Sequence, residues 1–439
     1  MNILLIMADQ FSAHALERSR STDAHFNTPH LDRLVANSTY FSQAYTPFPL
    51  CVPARSSMVT GKYPHQLGIM SNSGAGAAPA VEPGHGPESL GHWFTEAGYD
   101  CAYAGKWHAL QASATEADGF APIHPFGDDG LVEACHEWLA NRSVRDGERP
   151  FLLVASFDDP HTICEYARSQ PLPYGNVPEV PIGAAPPLPA NFPPAPYAPS
   201  ALASEADASP KVYGTRDYTA DDWRAYRAAY GTLVARVDER IGRLLDAVDL
   251  AETAVVFVSD HGDGDASHGW NQKTALYQEC IRVPLLVHVP GQSPAKVDTP
   301  VDGVLALMPT LCQVAGIATP ASLPCRSVLE AQPETVVVAT LFDSGSKPQT
   351  TGRALIKGQH KYTVYSWGKH REQLHDLHDD PGEQRNLAVE DSSAALLEEM
   401  RGELYRWAVT HSDTSFLKKL VLPVSAPAQA HSGIFTVPY

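Results

Sequence analysis

Cys51 heads the run Cys51-Val52-Pro53-Ala54-Arg55, followed by Ser56-Ser57-Met58-Val59-Thr60-Gly61, an order of residue types that makes it a candidate nucleophile at a helix entrance. Pro53 suits a first helical turn, where its missing N–H loses no hydrogen bond, and Gly61 is a natural stop, so the spacing predicts a helix of about two turns. An anion beside Cys51 would meet free backbone N–H groups, the positive end of the helix dipole and Arg55, four positions on. That arrangement suits a tetrahedral oxyanion. The same residues also read as a small buried Cys preceding a helix, with Arg55 on a solvated face, and Cys51 alone does not separate the two.

A second set of residues could hold a hard divalent cation, which takes oxygen ligands and tolerates an imidazole. Asp9, Asp260 and His261 offer these where apolar runs stop. Residues 2–7, 151–157 and 253–258 are near-continuous apolar runs, ending in Asp9-Gln10, Asp158-Asp159-Pro160-His161 and Asp260-His261-Gly262. Such runs predict strands buried on both faces of a mostly parallel sheet, whose carboxyl ends share the edge where ligands bind. On spacing alone a turn or a helix cap explains Asp260-His261 equally well. Lys106 and His108 are two apart, so an extended backbone points both the same way; a strand-end Lys in water beside a satisfied His is the plainer alternative. Apolar residues at helical spacing, from Tyr226 to Val248, predict a crossover helix over 221–250.

Composition limits what these residues serve. The 439 residues are 44% hydrophobic, enough for one large domain and a smaller one. A net charge of -18 argues against a nucleic-acid or anionic-membrane partner, so a small anionic substrate requires a local cluster of cations. No apolar run reaches the roughly 18 residues of a membrane span, and 2–7 is short for a secretory leader and lacks a basic lead. The expectation is a cytoplasmic chain as given, or a periplasmic one if a signal peptide has been removed. Seven cysteines, without paired spacing or a metal clip, predict reduced thiols. Residues 171–210, dense in Pro and Ala, predict a surface excursion that either walls a pocket or merely connects. Beyond Thr340, strand candidates at 353–357 and 360–366, a turn at Asp380-Pro381-Gly382-Glu383 and a helix near 392–409 predict a small subdomain over 341–415. Residues 416–439 alternate Pro with apolar residues, as an arm packing on a second subunit of a homo-oligomer or on its own domain.

The Cys51-x-Pro53-x-Arg55 run, with Thr60-Gly61-Lys62-Tyr63-Pro64-His65 after it, resembles the first signature of the type I sulfatases, in which that cysteine is oxidised after translation to formylglycine. Gly98-Tyr99-Asp100-Cys101-Ala102-Tyr103-Ala104-Gly105-Lys106-Trp107-His108 is similar to their second signature, and the resemblance continues to about Leu387. It implies an alkaline phosphatase-like α/β fold over 1–340, a mostly parallel central sheet sandwiched by helices, with a smaller C-terminal α+β subdomain. It implies a divalent cation, Ca²⁺ ahead of Mg²⁺ or Mn²⁺, on Asp9, Asp260, His261 and the oxygen derived from Cys51. By resemblance Lys106, His161 and Lys273 contact the sulfate, and Arg55 and His108 hold the hydroxyls of hydrated formylglycine. His161 would protonate the leaving oxygen, with Lys273 the second candidate, and His108 would be the base that lets the aldehyde re-form. A formylglycine-generating enzyme or an anaerobic maturase is then a required partner.

The chain departs from the commoner Asp-Asp-Gln pattern at Ala8, leaving one carboxylate in Met7-Ala8-Asp9-Gln10 and a gap for Gln10 or water, as in relatives resembling choline sulfatases and phosphonate monoester hydrolases. The implied activity is hydrolysis of a sulfate ester, a sulfated carbohydrate being preferred because Trp107, Trp223 and Trp270 could present flat faces. A phosphonate monoester or phosphodiester hydrolase on the same scaffold is the alternative. A non-catalytic binding protein is a third reading, against which stands the presence of Cys51, Arg55, Lys106 and His108. His268 is expected to be structural.

Overall fold

Successive side chains of the strand Asn2–Asp9 enter two different cores. In the computed structural model, which describes residues 1–18, 25–72, 89–110, 118–145, 149–331, 335–343, 349–428 and 430, this strand lies inside an eight-stranded sheet. Leu4, Ile6 and Ala8 meet Tyr226, Tyr230, Leu233, Val237 and Ile241 of the helix Ala220–Leu245. Ile3, Leu5 and Met7 face Ala54 and Met58 of the helix Cys51–Thr60 and Leu307 and Leu311 of the helix Leu307–Ala315. Burial on both faces is why this strand reads as an unbroken apolar run. At about 1.5–3 kcal/mol for each large apolar side chain removed from water, the two layers dominate the stability of the body.

The spatial order across the sheet is Ala295–Val297, Thr39–Phe41, Leu285–His288, Thr253–Ser259, Asn2–Asp9, Phe151–Pro160, Asp100–Gly105 and Ala121–His124. All neighbours are parallel except Leu285–His288, which runs antiparallel to both strands beside it. The register then fixes the site: Met7 and Gly105 both pair with Ser156, Asp9 pairs with Pro160, and Ala8 pairs with Ser259. Asp9, Lys106, Asp158 and Asp260 therefore leave the sheet at one edge.

The crossover helix spans Ala220–Leu245, opened by a capping box in which Thr219 accepts from the Asp222 N–H at 3.2 Å and Asp222 accepts from the Thr219 N–H at 2.7 Å. The helix at Cys51 is longer than its sequence suggests. It runs Cys51–Thr60, with Cys51 already in the first turn, Asn72 Oδ1 accepting the free Val52 N–H at 2.9 Å, and Gly61 closing it at φ +66°. Residues 171–199 form neither helix nor strand, but Ser200–Tyr213 is a helix whose Ala201 and Leu202 are buried, so the Pro/Ala-rich excursion is shorter than expected. Pro210 inside that helix is the residue that obscured it in the sequence.

A second sheet pairs Thr335–Phe342, Thr350–Lys357, His360–Tyr365 and Glu372–Asp376 antiparallel in chain order. One face, with Val336, Val338 and Ile356, packs on Tyr277 and Ile281 of the large body; the other, with Val337, Leu355 and Leu374, packs on Met400 and Leu404 of the helix Ala394–Thr410. Phe416 and Leu420 join that second cluster, so the described start of the C-terminal arm lies on its own chain, while 429 and 431–439 fall outside the described residues. None of the seven cysteines is bridged, and among the described residues no helix is long and apolar enough to cross a membrane.

Gly105 adopts φ +89°, and a Cβ there would fall 2.2 Å from the Ser156 carbonyl oxygen. Gly105→Ala is expected to destabilise the fold by about 2–4 kcal/mol through strain and steric conflict, read as a lower denaturant midpoint. An unchanged midpoint would contradict the register described.

Candidate active site

Cys51 Sγ lies at the centre of the strand ends, fully buried, with His261 Nε2 at 3.3 Å and Lys273 Nζ donating to it at 3.2 Å. Arg55, one helical turn on, is also fully buried, which excludes the solvated-face reading. Its Nε donates to Asp260 Oδ2 at 2.7 Å, Nη2 to Asp9 Oδ2 at 3.2 Å, and Nη1 to the Lys106 carbonyl at 2.8 Å and Ser156 Oγ at 2.9 Å. The guanidinium thus joins four strands, three of them at their ends, to the nucleophile helix. Lys106 Nζ sits 2.8 Å from both Asp9 Oδ2 and Asp158 Oδ1, and Lys273 Nζ donates to Gln10 Oε1 at 2.9 Å.

The charges settle one another. Burial opposes ionisation of Asp9, yet Lys106, His161, Arg55 and Lys273 hold its carboxyl well below the usual carboxylate range. Burial and Asp9 push the Cys51 thiol up, but Lys273, His261 and Lys106 outweigh them and hold it well below its ordinary value. Burial lowers the pKa of Lys273, and the sulfur of Cys51 together with Cys164 and Asp9 reverses that, keeping the ammonium charged.

Asp9, Cys51, Asp260 and His261 each offer one donor atom, all within 4.8 Å of one another and all buried. His261 Nδ1 lies 3.0 Å from the Gly262 carbonyl, which assigns a proton to Nδ1 and turns Nε2 inward, 3.7 Å from Asp9 Oδ1 and from Asp260 Oδ1; burial opposes a charged ring, and Asp260 and Cys51 outweigh it and raise its pKa, so an ion there takes the place of the Nε2 proton. The donor set fits a divalent cation. Gln10 does not join it, since its amide is committed to Asp263 at 2.6 Å and to Lys273.

Beside the cluster a cavity of about 420 Å³ is lined by Lys106, His108, His124, Phe126 and His161, among others. Lys106 and His108 share it as expected, but not through an extended backbone: the strand ends at Gly105 and His108 is left-handed, with φ +43°. Its Nδ1 has no hydrogen-bond partner among the described residues. The flat-face expectation fails for Trp223 and Trp270, which are only 7% and 3% exposed and pack edge-on against Tyr226 and Tyr277, whereas Trp107, 3% exposed and edge-on against Tyr103, is part of the cavity wall. Phe126, 63% exposed, offers the ring face instead, with Lys106 Nζ 5.6 Å from its centroid. His268 stacks on Tyr277 at 3.8 Å, a packing role.

Sequence reasoning passed over Asp158, although it stands in a strand-exit cluster and so carried a signal. It accepts from Lys106 and, at 3.1 Å, from the Tyr174 hydroxyl, and its backbone N–H is fixed by Asp128 Oδ1 at 2.6 Å. Arg240 holds Asp128 at 2.9 Å. Nothing in the sequence around Asp128 or Phe126 announces either contact.

A family model described as Sulfatase matches residues 1–317, and one described as N-sulphoglucosamine sulphohydrolase, C-terminal, matches 266–410. The chain is 29% identical over 432 residues to a Delta 4,5-hexuronate-2-O-sulfatase of Bacteroides thetaiotaomicron, covering 92% of this chain and 88% of that one. A solved 2-O GAG sulfatase superposes with a TM-score of 0.81 at 26% identity, over 96% of this chain and 94% of the other. A phosphonate monoester hydrolase from Silicibacter pomeroyi shares the fold, with a TM-score of 0.73 at 20% identity over 94% and 96% of the two chains. A match running from the first strand past the Lys273 loop places the chain in the sulfatase family, whose alkaline phosphatase-like fold it has, and makes it a sulfuric ester hydrolase.

Proposed function

We propose that the chain hydrolyses a sulfate ester of a carbohydrate, using an oxygen nucleophile formed at position 51 by conversion of the cysteine to formylglycine. The observation that carries this reading is the placement of a buried Cys51 Sγ within 3.3 Å of both Lys273 Nζ and His261 Nε2, in a cluster that Asp9 joins to Lys106, which lines the cavity together with His108 and His161. A hydrated aldehyde supplies two hydroxyls, one to attack sulfur and one whose deprotonation expels sulfate. A divalent cation on Asp9, Asp260, His261 and the oxygen at position 51, Ca²⁺ before Mg²⁺ or Mn²⁺, supplies fixed positive charge beside the nucleophile.

The remaining work falls to side chains. Lys106 and Lys273 draw in the sulfate and stabilise the charge that spreads over its oxygens. Asp158 and Asp9 hold the Lys106 ammonium in place, so it is aimed before substrate arrives. His161, half-buried with Nδ1 3.8 Å from Asp158, is placed to give a proton to the departing alcohol oxygen. His108, with its Nδ1 unpartnered among the described residues, is placed to take one in the second half of the reaction. Arg55 fixes both carboxylates, and its charge opposes the burial and the Asp9 charge that raise the Asp260 pKa. A sulfated sugar suits the cavity, which sets the exposed Phe126 ring near polar groups, and the hexuronate-sulfatase relative aligns over nearly its whole length.

Asp9 without an acidic neighbour at Ala8, on a fold shared with a phosphonate monoester hydrolase, favours a second reading in which a phosphonate monoester is cleaved. Side-by-side kcat/KM values on an aryl sulfate and an aryl phosphonate decide between them. The sulfate is expected to be preferred by at least about a hundredfold, some 3 kcal/mol of transition-state discrimination, and a preference for phosphonate would overturn the assignment. Cys51→Ala is expected to lower kcat by about 10³-fold or more with an unchanged melting temperature. Activity within tenfold of the parent would remove position 51 from the chemistry. Dialysis against a chelator is expected to abolish turnover and Ca²⁺ to restore it, whereas full activity after demonstrated metal removal would contradict the assigned ligands.

A further inference from the structure

The set of four donor atoms around position 51 changes chemical character when the sulfur of Cys51 is replaced by oxygen. We propose that the encoded chain, with the Cys51 thiol intact, is a tetrahedral site for a borderline-soft divalent cation of the Zn²⁺ class, held by Cys51 Sγ, His261 Nε2, Asp9 Oδ1 and Asp260 Oδ1. The inference concerns the unconverted protein and does not rest on the substrate assignment.

Geometry supports it first. Zinc bonds of about 2.3 Å to sulfur and about 2.0–2.2 Å to nitrogen and oxygen place tetrahedral donors roughly 3.4–3.6 Å apart. Here His261 Nε2 lies 3.3 Å from Cys51 Sγ and 3.7 Å from each of Asp9 Oδ1 and Asp260 Oδ1, and Cys51 Sγ lies 3.7 Å from Asp9 Oδ1. Little movement is needed to seat an ion.

The surrounding contacts orient each donor. Arg55 and Lys106 occupy Asp9 Oδ2, Arg55 occupies Asp260 Oδ2, and the Gly262 carbonyl faces His261 Nδ1, so the other atom of each group is turned inward; Asp260 Oδ1 is also fixed by the backbone N–H groups of Gln10 and His261 at 3.1 and 2.9 Å, and an ion shares it with them. Binding takes Cys51 as the thiolate and His261 Nε2 without a proton, so any proton these two atoms carry goes to solvent.

Thiolate and imidazole ligands select Zn²⁺ over Ca²⁺ or Mg²⁺, whereas an oxygen at position 51 makes the set hard. Conversion of Cys51 therefore exchanges the preferred ion, and zinc bound to the unconverted chain engages the sulfur on which conversion must act.

Protein made without a converting enzyme, with its thiol verified by intact mass, is stripped with a chelator and titrated with Co²⁺ as the spectroscopic probe. A near-ultraviolet thiolate-to-cobalt band is expected in the parent, removed by stoichiometric Zn²⁺ but not by a hundredfold excess of Ca²⁺. It is expected to be absent in Cys51→Ser and retained in Cys325→Ser. A parent without the band overturns the proposal whether or not the variants fold. A band surviving in Cys51→Ser, or displaced by Ca²⁺, overturns it equally.

Discussion

The guanidinium of Arg55 is the contact on which the rest depends. Removing an ion from water costs several kcal/mol even after relaxation, and a cluster this deep persists only where each charge is met by an opposite one in good geometry. Arg55 meets that condition with four directed bonds to Asp9, Asp260, the Lys106 carbonyl and Ser156, each on or just beyond a different strand. Lysine, a point charge without a fork, could not span them. Because Arg55 is carried one turn beyond Cys51, the bonds that close the strand edge also fix the nucleophile against it.

That clamp resolves the conflict between an acidic protein and an anionic substrate. The chain carries a net charge of -18, yet Arg55, Lys106 and Lys273 are gathered where the sheet ends, each balanced by a carboxylate or by the sulfur of Cys51. The long-range field opposes an anion, while short-range bonds inside a low-dielectric site favour it. Preformed partners keep the ammonium groups in place, so little reorganisation accompanies the reaction.

Much of this was legible in the chain. Apolar runs ending in Asp9, Asp158 and Asp260 announced strands buried on both faces, because parallel pairing leaves no polar face to alternate with. Their convergence followed from the shared direction of parallel strands. The helix carrying Cys51 and Arg55 was legible through spacing, while their part in the site was legible only through the resemblance to the sulfatase signature, since spacing alone left Arg55 free to face solvent. What stayed hidden depends on packing between distant segments. Asp128 reaches Asp158 through a loop, the exposed Phe126 lines a cavity built from distant segments, and His108 shares that cavity through a left-handed backbone that local pattern does not encode. Trp223 and Trp270 misled for the opposite reason, since a large ring has more to gain in the core than at the rim. Pro210 masked the helix Ser200–Tyr213, where tertiary packing overrides local propensity.

The central claim is that an oxygen generated from Cys51, held by the Arg55 clamp, performs the attack. Peptide mass mapping across position 51, on fractions of graded specific activity, tests it most directly. Activity is predicted to rise in proportion to the fraction of chains carrying the aldehyde. Fully active material in which every chain retains the unaltered thiol would contradict the account.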